Sequence, residues 1–177
     1  TSVPSAESPI TVVSYLAEVQ TEDMTYTDKL YGYQSGEPVE VLAADKTILK
    51  KSDSTPLKAG DIIQYKTNAK GEIDGITILF DSNSKTDEFI KNVTSDLTTV
   101  YGRAIKKFSG SVNVQVGDAV YNYATGDATV YLYDSTKSKN NISVVSPADI
   151  ELYEKDNEVR LFVKIYQDAV QEMVIVR

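Results

Sequence analysis

Histidine, cysteine and tryptophan are all missing from the 177 residues. The first two absences remove the usual ligands of zinc, copper, haem and iron–sulfur centres, Ser-His-Asp and Cys-His catalysis, and any disulfide framework. The third removes the largest ring that proteins stack on sugars. Positive charge is also scarce: 18 Lys and Arg face 26 Asp and Glu, a formal charge of −8, so nucleic-acid phosphates find no basic footprint. No Gly-x-Gly-x-x-Gly or Gly-Lys-Ser/Thr phosphate loop occurs, and no apolar run approaches the roughly 18 residues of a membrane span. With 26 acids, carboxylate pairs are unavoidable, but nothing around any of them marks a glycosidase dyad. No enzymatic activity is expected.

The start, Thr1-Ser-Val-Pro-Ser-Ala-Glu-Ser-Pro9, has neither an initiator Met nor a signal segment. It reads as a linker over 1–10 and as part of a longer chain. Lack of cysteine fits a reducing cytosol and equally the cysteine-poor exported proteins of Gram-positive bacteria. Acidity is uneven: residues 1–88 carry 8 basic and 15 acidic side chains, residues 89–177 carry 10 and 11. A solubilising face, cation uptake and a basic partner are the three uses of such an excess.

What is present is period two. Val13, Tyr15, Ala17 and Val19 alternate, as do Val39 and Val41, Ile76, Ile78 and Phe80, Val112, Val114 and Val116, Tyr121 and Tyr123, and Val159, Leu161, Val163 and Ile165. The residues favoured are the β-branched and aromatic ones that suit a pleated surface. Only Thr86 to Leu97 offers a helical turn or two, with Thr86 as cap. Turn chemistry falls at Ser35-Gly36, Lys70-Gly71, Ser109-Gly110, Gly117-Asp118, Gly126-Asp127 and Lys155 to Glu158. Short strands between such turns predict an all-β chain with little helix.

The halves resemble one another. Tyr31-x-Tyr33-x-x-Gly36-acid returns as Tyr121-x-Tyr123-x-x-Gly126-acid at an offset of 90, Asp61-Ile-x-x-Tyr65 as Asp149-Ile-x-x-Tyr153 at 88, and Tyr15–Val19 lies on Tyr101–Ile105 at 86. The expectation is two tandem small antiparallel β-barrel or β-sandwich modules, 11–80 and 97–177, joined by a polar linker over 81–96.

Two sets of residues suggest chemistry. Tyr31 with Tyr33, and Tyr121 with Tyr123, share a strand face, so each pair either packs at a sheet edge or forms a stacking platform for a sugar or planar ligand. Asp81, Asn83, Asp87 and Glu88 are oxygen-rich, the make-up of a weak calcium loop. Lys85, Thr86 and Asn92 stand where an EF-hand requires a ligand, a glycine and a bidentate acid, and exclude that motif. Asp61 and Asp149 read as turn caps.

Three stretches carry a likeness: Pro56-Leu-Lys-Ala-Gly-Asp-Ile-Ile-Gln-Tyr65, Gly71-Glu-Ile-Asp-Gly-Ile-Thr-Ile-Leu-Phe-Asp81, and Val145-Ser-Pro-Ala-Asp-Ile-Glu-Leu-Tyr153 running on to Met173-Val-Ile-Val-Arg177. They resemble the β-rich regions that follow the anchoring repeats of clostridial S-layer-homology domain proteins. No anchoring repeat occurs in this chain. The resemblance implies an extracellular, cell-surface protein of a Gram-positive bacterium. It also implies a structural or interaction segment whose partners are other modules of its parent chain or neighbouring surface proteins. The alternative expectation is a carbohydrate-binding or adhesive module that meets cell-wall or extracellular glycan through its tyrosines.

Overall fold

The computed structural model describes residues 4–177. It is all-β, as the alternation predicts, with only two 3-10 turns, at Ser82–Ser84 and Pro147–Asp149. The chain divides into two compact units, Thr1–Asn83 and Ser84–Arg177, each with its own sheet.

In the first unit β1 (Thr11–Gln20), β2 (Tyr26–Gln34), β3 (Glu37–Leu42), β4 (Ile62–Thr67) and β5 (Ile73–Phe80) lie in the order β3-β2-β1-β4-β5. The β2–β3 hairpin turns through Ser35 and Gly36, both left-handed (φ 52° and 81°), the geometry whose twist matches that of paired strands. The β4–β5 turn is held by the Asn68 side chain, which accepts from the backbone N–H groups of Lys70 (2.9 Å) and Glu72 (3.0 Å). The long β3–β4 connection sends Leu49 and Leu57 into a core with Val13, Leu30, Ala43, Ile63 and Ile73.

The second unit contains β6 (Phe89–Asn92), β7 (Leu97–Lys107), β8 (Ser111–Val116), β9 (Ala119–Ala124), β10 (Thr129–Tyr133), β11 (Ile142–Val145), β12 (Arg160–Tyr166) and β13 (Ala169–Val176). They run β11-β10-β13-β12-β7-β8-β9, with β6 on β7. The core gathers Val100, Val112, Val114, Val130, Leu161, Val163, Met173 and Ile175 among others.

Within these sheets the same strand path occurs twice: β3-β2-β1-β4-β5 matches β9-β8-β7-β12-β13. Even the way the circuit turns back is shared. Just past β3, Ala43 bridges Ile73 of β5 in parallel, and the Ala44 N–H donates to the Ile73 carbonyl at 2.8 Å. Just past β9, β10 pairs in parallel with β13, Thr129 opposite Glu172 through Tyr133 opposite Val176. This is the path of a partly open five-stranded Greek-key barrel, although no continuous ladder closes either sheet. These two parallel contacts, one in each unit, are the departures from the antiparallel pairing that short turns predict.

Several sequence expectations need correction. The offset of 86 pairs β1 with β7, in agreement with the path. The offset of 90 lays β2 on β9, where the path pairs β2 with β8, because Tyr-x-Tyr is ordinary strand alternation rather than a marker of position. Asp61 directly precedes β4, whereas Asp149 ends a 3-10 turn well ahead of β12, so the offset of 88 does not join equivalent strands either. Residues 4–10 are packed rather than linker-like: Pro4 and Ile10 are buried, and the Gln64 amide donates to the carbonyls of Ala6 (3.1 Å) and Ser8 (2.8 Å). The first three residues of that stretch lie outside the described residues. Within 81–96, Phe89–Asn92 is a strand on β7, and the Thr86–Leu97 helix does not form, since Val93 and Thr94 disfavour it and β7 offers a ladder.

β1 in the first unit and β7 in the second are each bonded to strands on both sides. Between Val13 and Tyr15 the β1–β2 register shifts, which turns Val13 into the core and leaves Tyr15 52% exposed, so the alternation that put both on one face breaks at Ser14. Close approach at this crossing demands glycine. A Cβ on Gly32 would meet the Val12 carbonyl oxygen at 2.3 Å, and one on Gly102 of β7 the Gln115 carbonyl oxygen at 2.5 Å. Gly32→Ala and Gly102→Ala are expected to cost about 1–3 kcal/mol each in urea unfolding. Gly110→Ala, whose Cβ would meet nothing within 4 Å, should change stability by less than about 1 kcal/mol.

Candidate functional site

The bulge in β1 makes a groove. Tyr15 of β1 and Tyr31 of β2 are cross-strand partners whose rings stack with centroids 4.4 Å apart and planes 9° apart. Beside them Tyr33 faces Pro38 across the β2–β3 ladder. Together with Ser14 and Glu40 these residues line an open groove of about 420 Å³ on the outer face of β1-β2-β3. At the rim Lys29 pairs with Glu40 at 3.0 Å and lies 5.3 Å from the centre of the Tyr31 ring. The hydrogen bond that Lys29 donates to Glu40 raises its pKa above the ordinary value. Because Tyr15 and Tyr31 cover one face of each other, a guest meets their outer faces, edges and hydroxyls.

Tyr31 and Tyr33 therefore come together with a third ring that the sequence reading missed. The signal was available: counting back from a turn at 21–25, Gln20 opposite Tyr26 brings Tyr15 opposite Tyr31. Tyr121 and Tyr123 lie in the other unit, on β9, with centroids 6.4 Å apart and planes 26° apart. Tyr123 packs on the core beside Val112 and Val114, and burial raises its pKa. Tyr121 is 40% exposed at the strand edge.

Three of the four calcium candidates, Asp81, Asn83 and Glu88, are engaged otherwise, the first two in one unit and Glu88 in the other. The Lys51 ammonium, 6% exposed, lies 2.7 Å from Asp81 Oδ1 and 3.2 Å from Asp61 Oδ2. Asp61 is fully buried and accepts the backbone N–H groups of Lys58 (2.7 Å) and Ser82 (2.8 Å). Lys58 Nζ donates to Asn83 Oδ1 at 3.2 Å. A cation at Asp81 and Asn83 would thus have to displace two lysines. Removing one partner of the buried Lys51–Asp61 pair costs about 3–5 kcal/mol. In the second unit Glu88 clasps Arg103 (2.8 Å) and Arg160 (3.2 Å) and accepts the Gly117 N–H (3.2 Å). The Tyr153 ring lies 5.5 Å from both guanidinium carbons. Asp87 is exposed. Among the described residues no three acidic side chains gather as a metal would need.

Both turn-cap aspartates cap a turn. Asp149 accepts the Ser146 N–H at 3.0 Å and its hydroxyl at 3.1 Å, and Asp61 accepts the Lys58 N–H described above. Comparison with family models, with curated proteins and with solved structures gave no match.

The carboxylates set how stability depends on pH at the acid end. Asp45, Asp53 and Asp134 lie below the ordinary value because each accepts the hydroxyl and N–H of a threonine two residues on, Thr47, Thr55 and Thr136. Asp149 is lowered by Ser146. Burial pushes Asp81 up, but the Lys51 hydrogen bond and the Asn83 N–H outweigh it and the net shift is downward. A depressed folded-state pKa contributes stability present above about pH 3.9 and lost as pH falls through the folded value. At the other end Lys51 is raised, its burial outweighed by Asp81 and Asp61, and burial raises the Tyr65 and Tyr101 phenols. Those contributions are complete below about pH 10 and are lost above it. With no histidine side chain to titrate between, the urea midpoint is expected to stay level from about pH 5.5 to 9 and to fall below about pH 4.

Proposed function

We propose that the chain is a non-enzymatic structural or interaction segment of an exported, S-layer-associated bacterial surface protein. It holds or spaces other modules of its parent chain, or meets neighbouring surface proteins, and needs no cofactor. The observation that carries the non-enzymatic part is how the buried carboxylates are used: Asp61 faces Lys51, Asp134 faces Arg177 and Glu172 faces Lys164, so each is neutralised by a fixed cation instead of standing ready for substrate. The surface location is supported by the resemblance of the β4 and β5 segments to the regions beside S-layer-homology repeats. Labelling intact cells that make the parent protein with a membrane-impermeant amine reagent should modify lysines of this segment. Modification only after lysis would overturn the location.

The groove favours a second reading, a carbohydrate-binding or adhesive module. The outer face of the second and third strands is where partly open Greek-key barrels take oligosaccharides and oligonucleotides, and the acidic charge of this chain disfavours the latter. On a glycan array this reading expects saturable binding that Tyr31→Ala or Tyr33→Ala abolishes. Absence of any hit, or binding indifferent to both changes, would remove it.

A further inference from the structure

Sheet edges are where strands of other chains add, and most edges here are guarded. β3 carries Glu37, Pro38 and Glu40. β5 carries Asp74, two register shifts and the bridge to Ala43. β6 and β11 are four residues long. β9 has no such device. Ala119-Val-Tyr-Asn-Tyr-Ala124 contains no charge and no proline, pairs only with β8, and exposes five of its six residues.

We infer that β9 is an association edge that pairs antiparallel with β9 of a second copy of this chain. Two neighbouring antiparallel strands related by a two-fold axis need that axis normal to the sheet, so opposite residues share a face. An axis through Asn122 sets Tyr121 against Tyr123 of the second copy, Val120 against Ala124, and Asn122 against itself. Each of these pairs is favourable. The Tyr121–Tyr123 stack on the core side becomes a group of four rings. On the opposite face Asn122 Nδ2 already donates to Asn113 Oδ1 at 2.9 Å and Ser111 Oγ at 3.1 Å, an amide row that a second Asn122 extends. The uncharged strand lets two chains of net charge −8 meet without like charges at the seam. This deepens the proposed interaction role by naming its partner, and its failure would leave the surface-labelling result untouched.

Sedimentation of the whole chain over a concentration series is expected to reveal a reversible dimer. Val120→Lys, at a half-exposed position, should weaken the dimer at least about tenfold while the urea midpoint of the monomer, read at a concentration below dimerisation, stays put. Val144→Lys on β11 should leave it unchanged. Because the chain has no cysteine, Asn122→Cys supplies a single thiol, and mild oxidation should lock it into a covalent dimer where Val144→Cys does not. A chain monomeric at every concentration, a dimer indifferent to Val120→Lys, or equal cross-linking at both cysteine positions would overturn the assignment.

Discussion

Each unit hangs on one strand, β1 in the first and β7 in the second. β1 is laddered to β2 along its whole length and to β4 at Thr11 and Val12, and β7 is laddered to β12, β8 and β6. A strand that serves two sides of a curled sheet must coil, and the coil is obtained with an extra residue and a missing side chain. In the first unit these are Ser14 and Gly32, in the second the shift between Ala104 and Lys106 and Gly102. The groove follows from this, since the phase change at Ser14 turns Tyr15 outward against Tyr31. One requirement of backbone geometry thus positions both the core and the aromatic face.

Charge in this chain works inward as well as outward. Loops without regular structure are fixed by carboxylates that accept nearby N–H groups or meet a lysine or arginine. The β3–β4 connection is pinned to the end of β5 through Lys51, and Glu88 draws β7, β12 and the β8–β9 turn together. Tying loops in this way suits a chain without cysteine or histidine, since each tie uses residues that an acidic sequence has in plenty.

The alternation at Val112, Val114 and Val116, at Ile76 to Phe80 and at Val159 to Ile165 made the all-β class legible, because a half-buried strand has no other way to be written. So did the turns with glycine. The Gln167-Asp168 hairpin, where both residues are left-handed (φ 49° and 64°), was not legible, since glutamine carries no such signal. Nor was Lys51, a loop lysine among many until the fold sets it between two aspartates. The duplication was legible as a rhythm but not as an alignment: tyrosine spacing reported strand period, while the true equivalence lies in pairing order, which no single stretch encodes. Of the ring cluster, Tyr31 and Tyr33 were visible as neighbours on one strand, and Tyr15 required hairpin register.

The parallel contact between β10 and β13 bears on how the second unit assembles. β13 is the last strand in the order, yet it lies between β10 and β12. Until it is synthesised, β10 with β11 has no ladder to the rest of its sheet, and the hairpin β12–β13 cannot form. The early strands β6 to β9 can pair locally as they emerge, but the sheet becomes continuous only when its final segment inserts, a non-local step of the kind that slows folding. A nascent chain halted before residue 169 would leave the flanks of β10 and β12 that face β13 unpaired together, the kind of exposed apolar edge that makes a partly folded chain prone to associate.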